Sequence, residues 1–442
     1  MRPLIAHPSG PLEGRFEVPG DKSISHRALI LAALAVGPSR LDGLADGDDV
    51  RRTALALEAL GVPISGSLAE GLVVDGLGVG GLQEPAQPLD FGNSGTGARL
   101  LMGCLATHPF TSHLCGDRSL SGRPMGRVMR PLEEMGASFL ARAGDRLPLA
   151  LIGTAEPLPI AYRLPVPSAQ VKSAVLLAAL NAPGESSVIE SAPSRDHSER
   201  LLTARGAEIS IEEAGGERII NLLGECELAA GDLEVPGDPS AAAFGLVAGL
   251  GPDSQITVDN LCLNPLRTGL FTCLGEMGAR LTIEESGTAG GEPVGSVSVA
   301  GGGLRGIEVP PERAPAMIDE FPILACAAAL AEGTTTMRGL EELRVKESDR
   351  LSAIAAGLQA AGVAVEELPD GLIIEGRGRV PGGTTIEVRH DHRIAMAFLV
   401  LGLAAEEAIA VDDGGPIATS FPGFNAAMKA VGAKIEGAEG ET

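Results

Sequence analysis

The sequence predicts an α+β (mixed α/β) fold of two similar lobes, each made of three repeats with buried helices. Three observations carry this. A glycine followed by Ala or Val, any residue and an apolar one recurs at Gly61, Gly136, Gly206, Gly278, Gly362 and Gly432, at spacings of 75, 70, 72, 84 and 70 residues. A polar loop opening an apolar run recurs near Ser23, Ser94, Ser168, Ser240, Asp319 and Asp391, at spacings of 71, 74, 72, 79 and 72. The run Val18-Pro19-Gly20-Asp21-Lys22-Ser23 returns 217 residues later as Val235-Pro236-Gly237-Asp238-Pro239-Ser240, which divides the six units three and three.

Each marker glycine follows a helical pattern, as in Val50 to Leu60, Val128 to Met135 and Leu351 to Ala361. Glycine past a helix end takes the left-handed conformation, and the alternating tail then starts a strand. The runs after the polar loops, such as Ala28 to Ala35, Ala174 to Ala178, Ala241 to Leu250, Ile323 to Leu330 and Ile394 to Leu403, are apolar on every side. Such helices are buried rather than amphipathic. A unit therefore reads strand, buried helix, strand, surface helix, strands, with crossovers inside a sheet. One lobe is expected to span 21–236, and the other 237–442 with residues 1–19 returning to it. The Pro-Gly pairs offer two crossings, a double hinge. Buried helices with similarly directed N-termini would sum their dipoles toward the cleft between the lobes, where the active site is expected.

Composition narrows the partners. A net charge of -24 argues against nucleic acid and anionic membrane surfaces, so an anionic ligand needs a local basic cluster. With 2% aromatic residues and no Trp, the core must be built from Ala, Leu, Val and Ile. The six cysteines, Cys104, Cys115, Cys226, Cys262, Cys273 and Cys326, include no C-x-x-C pair, which suits free thiols in a reducing compartment. The N-terminus lacks the apolar run of a signal peptide and no segment reaches bilayer length. A soluble cytoplasmic protein is expected.

The polar loops hold cations. The first, Gly20 to Arg27, supplies Lys22, Ser23 and Arg27 beside the unpaired N–H groups of a helix start, which is an anion site. Asp90-Phe91-Gly92-Asn93-Ser94-Gly95-Thr96-Gly97-Ala98-Arg99 is suited to close backbone approach, without the spacing of a P-loop. Of Arg118, Arg123 and Arg127, two read as solvated, and Arg123, fixed before Pro124, as held. Pro167-Ser168-Ala169-Gln170-Val171-Lys172-Ser173 opens the third buried helix with neutral donors, and Arg195 follows in Ser194-Arg195-Asp196-His197. His26 and His197 read as hydrogen-bonded structural histidines. A helix beginning near Lys346 would put Lys346 and Arg350 four apart on one face beside Glu347. In His390-Asp391-His392-Arg393, helix capping by Asp391 is preferred to a metal site. Arginines suit bidentate carboxylate and phosphate recognition, and Asp319 and Glu347 among cations are candidate acid–base groups. These residues describe a two-lobed protein that closes on a small polyanion.

The chain resembles the 5-enolpyruvylshikimate-3-phosphate synthase family. The resemblance rests on Gly20-Asp21-Lys22-Ser23-Ile24-Ser25-His26-Arg27, Arg123-Pro124-Met125-Gly126, Ser168-Ala169-Gln170-Val171-Lys172-Ser173, Arg344-Val345-Lys346-Glu347-Ser348-Asp349-Arg350 and Asp391-His392-Arg393. It implies two lobes of three βαβαββ units and transfer of the enolpyruvyl group of phosphoenolpyruvate to the 5-hydroxyl of shikimate 3-phosphate. The partners would be these two small molecules, with no metal and no organic cofactor, and the protein a monomer. Asp319 would be the base at the hydroxyl; Glu347, with Lys22, would handle the methylene proton and the leaving phosphate. Lys22, Ser23, Arg27, Ser168, Gln170, Arg195, Asp319 and Lys346 would hold shikimate 3-phosphate. Lys22, Gly95, Arg123, Gln170, Arg350 and Arg393 would hold phosphoenolpyruvate. The Ser-Ala-Gln and Ser-Arg-Asp-His wording resembles the branch known as class II. The other branch has a lysine before the C-terminal Thr-Phe-Pro, where this chain reads Ile417-Ala418-Thr419-Ser420.

The sister transferase acting on UDP-N-acetylglucosamine carries a catalytic cysteine five residues before the arginine matching Arg123. Arg118 stands there in this chain, and Cys115 lies eight before. An inactive anion-binding scaffold is the other alternative, and the presence of both Asp319 and Glu347 weighs against it. Tolerant class II members carry alanine at the position of Gly95, so this chain is expected to be sensitive to glyphosate.

Overall fold

The structure is a computed structural model describing residues 2–437. The chain forms two compact units. The first comprises Gly20–Val235 and Thr288–Glu292; the second comprises the N-terminal residues to Pro19, Pro236–Gly287 and Pro293 onward. The chain passes between them at Pro19–Gly20 and Val235–Pro236, and again on either side of the short segment Thr288–Glu292.

In the first unit the buried helices are α1 (Lys22–Leu34), α3 (Gly95–Leu105) and α5 (Ala169–Ala179), alternating with α2 (Asp48–Ala59), α4 (Gly126–Glu134) and α6 (His197–Ala204). In the second unit α7 (Pro239–Ala248), α9 (Phe321–Leu330) and α11 (His392–Ala404) alternate with α8 (Gly269–Glu276), α10 (Arg350–Ala360) and α12 (Phe424–Ala430). Every residue of α7 is buried, as the all-round apolar pattern requires.

The glycine series ends the surface helices. Gly61, Gly136, Gly206, Gly278, Gly362 and Gly432 have φ of +87°, +107°, +92°, +96°, +85° and +99°. In each case the next residue donates its N–H to the carbonyl five positions back, as in Val62 to Leu57 at 3.1 Å and Ala433 to Met428 at 3.0 Å. This is the Schellman closure, whose residue after the glycine packs back on the helix. That explains why Ala or Val follows each glycine.

Each repeat contributes one small mixed sheet. Strand Leu89–Asp90 leads through α3 to the parallel strand Thr111–Cys115, and α4 then leads to the hairpin Ser138–Arg142 and Arg146–Ile152. The same order, with one parallel and two antiparallel pairings, holds for the sheets around α5 and α9. Segments distant in the chain complete the others. Leu228–Ala229 and Leu233–Glu234 pair in parallel with Ala35–Asp42. Leu4–His7 inserts between Ile409–Val411 and Lys434–Gly437, and Glu13–Arg15 pairs with Gln255–Cys262.

The buried helices pack closely because their contact residues are small. A Cβ on Gly103 of α3 would lie 2.3 Å from the carbonyl oxygen of Ala174 in α5. Gly275, exposed in α8, has open space there. Gly103→Ala is therefore expected to lower stability by about 1–3 kcal/mol through overpacking. Gly275→Ala is expected to raise it by roughly 0.5–1 kcal/mol through helix propensity. Urea unfolding midpoints of the two variants check both signs.

Candidate active site

Two groups of polar side chains collect at the starts of the buried helices, one in each unit. In the first unit Asp21 caps α1, accepting from the Ile24 N–H at 2.8 Å. Lys22, at the helix start, lies 3.1 Å from Asp49 in the first turn of α2. Arg27, one turn further on, is nearly enclosed. Its Nε donates to Ser198 Oγ at 2.8 Å, one terminal nitrogen to Ser173 Oγ at 2.7 Å and the other to the Ser23 carbonyl at 2.9 Å. Burial lowers its pKa to about 10; Glu199 acts the other way, and nearby Arg195 adds to the lowering.

Ser94 caps α3, accepting from the Gly97 N–H at 3.2 Å. A Cβ on Gly95 would meet terminal nitrogens of Arg99 at 3.0 Å and Arg123 at 3.5 Å, so this glycine lies against two guanidinium groups. Arg123 donates to Asn93 Oδ1 at 3.0 Å and Ser119 Oγ at 3.2 Å, and is held as expected, whereas Arg118 and Arg127 are exposed. Gln170 ties α5 to α3, accepting from Arg99 at 2.9 Å and donating to Thr96 Oγ1 at 3.0 Å. Ser168 caps α5, and Arg195 directly precedes Asp196, the N-cap residue of α6.

In the second unit Arg350 has no exposed side-chain surface. Its Nε donates to Asp391 at 2.8 Å, and its terminal nitrogens reach Glu347 at 2.6 Å and Asp319 at 3.3 Å. Burial alone would lower its pKa, but Asp391, Glu347 and Asp319 outweigh burial and raise it above the ordinary value. Lys346 lies 3.4 Å from the same Asp319 oxygen, and Arg393 donates to the Asp319 carbonyl at 3.2 Å. Asp391 caps α11 through the Arg393 N–H at 3.0 Å. Burial pushes the Asp391 carboxyl up, but Arg350 and His392 hold it below the usual range.

One expectation is corrected. The helix expected from near Lys346 begins at Arg350, because Asp349 caps it by accepting from the Ser352 N–H at 3.2 Å. Lys346 is extended and precedes the cap, so it and Arg350 do not share a helical face. They converge on Asp319 instead. Arg344 makes this possible by pinning the loop base to Asp349 at 2.9 Å, Glu367 at 2.8 Å and the Leu368 and Pro369 carbonyls.

The histidines have structural partners. His26 Nδ1 lies 2.8 Å from Thr53 Oγ1, and burial lowers its pKa to about 3. His197 Nδ1 lies 2.7 Å from Glu292. Among the described residues no group of three or more His, Cys, Asp or Glu could hold a metal ion, and no helix is long and apolar enough to cross a membrane.

The sequence reading left Asp49, Asn93 and Arg99 without roles. Arg99 was within reach of it: four residues past Gly95 at a helix start, it must share that glycine's face.

The arrangement is that of an anion-binding enzyme, with helix starts, guanidinium groups and hydroxyls gathered in the first unit and cations gathered around the Asp319, Glu347 and Asp391 carboxylates in the second. The chain belongs to the EPSP synthase (3-phosphoshikimate 1-carboxyvinyltransferase) family, whose model matches residues 6–428. It is 57% identical over 437 residues to a 3-phosphoshikimate 1-carboxyvinyltransferase of Parvibaculum lavamentivorans, covering 98% of this chain and 97% of that one. It is 58% identical over 441 residues to the Rhodospirillum rubrum protein of the same name, covering 98% of each. A solved EPSP synthase from Acinetobacter baumannii superposes with a TM-score of 0.90 at 40% identity, covering 99% of this chain and 100% of that one.

The Arg350 cluster gives a direct test of the second group. Asp391→Asn keeps the side-chain shape but withdraws the charge facing a buried guanidinium. Stability at neutral pH is expected to fall by about 2–4 kcal/mol. A depressed carboxyl pKa favours folding above the unfolded value and loses that contribution as pH falls through the folded one. Denaturant titrations from pH 7 downward should therefore show the gap between wild type and variant narrowing in acid.

Proposed function

We propose that this chain transfers the enolpyruvyl group of phosphoenolpyruvate to the 5-hydroxyl of shikimate 3-phosphate. It thereby releases phosphate, forms 5-enolpyruvylshikimate 3-phosphate and serves chorismate and aromatic amino-acid biosynthesis. Family membership across residues 6–428 carries this reading. The gathering of Lys346, Arg350 and Arg393 around Asp319, with Glu347 paired to the same Arg350, supports the assignment of roles.

The reaction is an addition followed by an elimination. A proton is delivered to the methylene carbon of phosphoenolpyruvate while the 5-hydroxyl oxygen bonds to the adjacent carbon and loses its own proton. The tetrahedral intermediate then gives up a methyl proton, reforms the double bond and expels phosphate. Asp319 takes the hydroxyl proton; its pairing with Lys346 and Arg350 orients the carboxylate. Glu347 and Lys22 serve the methylene proton and the departing phosphate. Ser23, Arg27, Ser168, Gln170, Arg195 and Lys346 hold shikimate 3-phosphate. Lys22, Gly95, Arg123, Gln170, Arg350 and Arg393 hold phosphoenolpyruvate, with fixed cations stabilising the charge that develops. Both units supply residues to this one reaction. The reading includes a monomer working in the cytoplasm.

The experiment is phosphate release from phosphoenolpyruvate with and without shikimate 3-phosphate. Release that requires both substrates is expected; release without the second, or none with both, contradicts the reading. In the same assay Asp319→Ala and Glu347→Ala are expected to lower kcat by about 10²–10⁴, with smaller effects on binding, as proton-transfer groups do. A variant that keeps near-normal kcat removes its residue from the mechanism.

Gly95 sets a second expectation. Glyphosate, the family inhibitor that competes with phosphoenolpyruvate, is longer than the substrate. A methyl pressed against Arg99 and Arg123 should disturb the inhibitor more. The wild-type enzyme is expected to be glyphosate-sensitive and Gly95→Ala to raise the inhibition constant, measured at matched phosphoenolpyruvate saturation. Wild-type resistance would show that Gly95 does not decide sensitivity.

A further inference from the structure

The first unit contains a buried charged cluster that the reaction does not use. Lys172, in the third buried helix, has no exposed side-chain surface. Its ammonium lies 3.0 Å from Glu190 and 2.7 Å from Glu199, carboxylates that are themselves buried. It also donates to the Ser194 carbonyl at 3.2 Å. Glu190 grips the same residue from the other side, one oxygen accepting from the Ser194 N–H at 3.4 Å and the other from its hydroxyl. Carbonyl, amide and hydroxyl of Ser194 are thus all fixed by two buried ions.

Such a cluster is a poor source of stability. Desolvating an ammonium and two carboxylates costs several kcal/mol per ion, and well-packed apolar residues often replace such groups without loss. What the cluster visibly does is hold one peptide, and the next residue is Arg195. Arg195 directly precedes the N-cap of α6, and that helix's first turn carries the Ser198 hydroxyl that accepts from the Arg27 guanidinium, so the peptide bearing Arg195 belongs to the helix start that meets Arg27. A guanidinium that grips a phosphate bidentately must arrive at a set angle, and a loop that had to be ordered on binding would weaken the grip.

We propose that Lys172 and Glu190 are positioning residues for Arg195, fixing the Ser194–Arg195 peptide so that the guanidinium meets the phosphate of shikimate 3-phosphate. The inference rests on the reading of Arg195 as a ligand of that phosphate. The cluster touches neither substrate; it acts only through the peptide it holds.

The test is a double-mutant cycle on the full-length enzyme, with calorimetric titration of shikimate 3-phosphate and steady-state kinetics. Glu190→Gln is expected to raise the dissociation constant roughly 5- to 20-fold, the size of one or two lost hydrogen-bond contributions. At saturating substrates its kcat should stay within about threefold of wild type, since the interaction serves ground-state binding. In an Arg195→Ala background Glu190→Gln should add less than about twofold, because the group it positions is gone. Ser194→Ala, which removes only the hydroxyl bonded to Glu190, should act in the same direction and serves if Glu190→Gln does not fold. Unchanged affinity in these variants, or Glu190→Gln acting in full on top of a weakened Arg195→Ala enzyme, overturns the inference alone. Wild-type affinity in Arg195→Ala instead removes Arg195 from the phosphate site, and the underlying reading with it.

Discussion

One buried guanidinium governs the second unit's polar group. Arg350 has no contact with solvent, and its charge persists because Asp391, Glu347 and Asp319 surround it. These carboxylates come from three places: the turn before α9, the loop before α10 and the cap of α11. A single charge therefore fixes the starts of three helices relative to one another. Removing the charge would leave three carboxylates together in a low-dielectric site, each with a reason to take up a proton. The geometry of Asp319 and Glu347 is thus set by ion pairing to a buried charge together with the loop that Arg344 pins.

The first unit meets the same requirement with weaker partners. Arg27 is enclosed mainly by the hydroxyls of Ser173 and Ser198 and the Ser23 carbonyl, and its pKa falls where that of Arg350 rises. Small hydroxyls at helix starts satisfy a guanidinium without neutralising it. Cations held in this way keep their field available to an anion, which matters in a chain whose net charge is -24. Carboxylates appear where a position must be fixed, as at Lys172 and Arg350; hydroxyls and amides appear around Arg27 and Arg123.

The repeat architecture was legible because its signals are local. A Schellman closure needs a left-handed residue followed by an apolar one, so all six are written as Gly-Ala or Gly-Val. Likewise, a helix buried on every side must be apolar on every side. The N-cap at Asp391 could be read because capping depends on one side chain and the next turn. The start of α10 was displaced because two acids compete to mark it, and the cap at Asp349 defeats the charge pattern of Lys346 to Arg350. Contacts that depend on distant segments were not legible. Lys172 reads as a polar interruption in an apolar helix until Glu190 and Glu199 are brought to it. The pairing of His197 with Glu292, 95 residues away, leaves no mark in either local sequence. Nor does the closure of the first sheet by residues 228–234.

The fourth repeat shows how one motif can serve opposite ends. Gly20-Asp21-Lys22-Ser23 and Gly237-Asp238-Pro239-Ser240 open equivalent helices, but proline replaces the lysine. At α7 the Ser240 hydroxyl bonds to the Glu320 carboxylate, and Arg267 reaches Asp238 at 2.9 Å and Ser240 at 3.1 Å. The helix start that could attract an outside anion is supplied with one from within. Glu320 is the neighbour of Asp319, so the carboxylate seated at α7 anchors the turn that carries the proposed base. The groups proposed to meet substrate in the second unit stand in the fifth and sixth repeats, at Asp319, Lys346, Glu347, Arg350 and Arg393. Proline in place of the lysine, and a carboxylate already seated at the helix start, thus set the fourth repeat apart from the first.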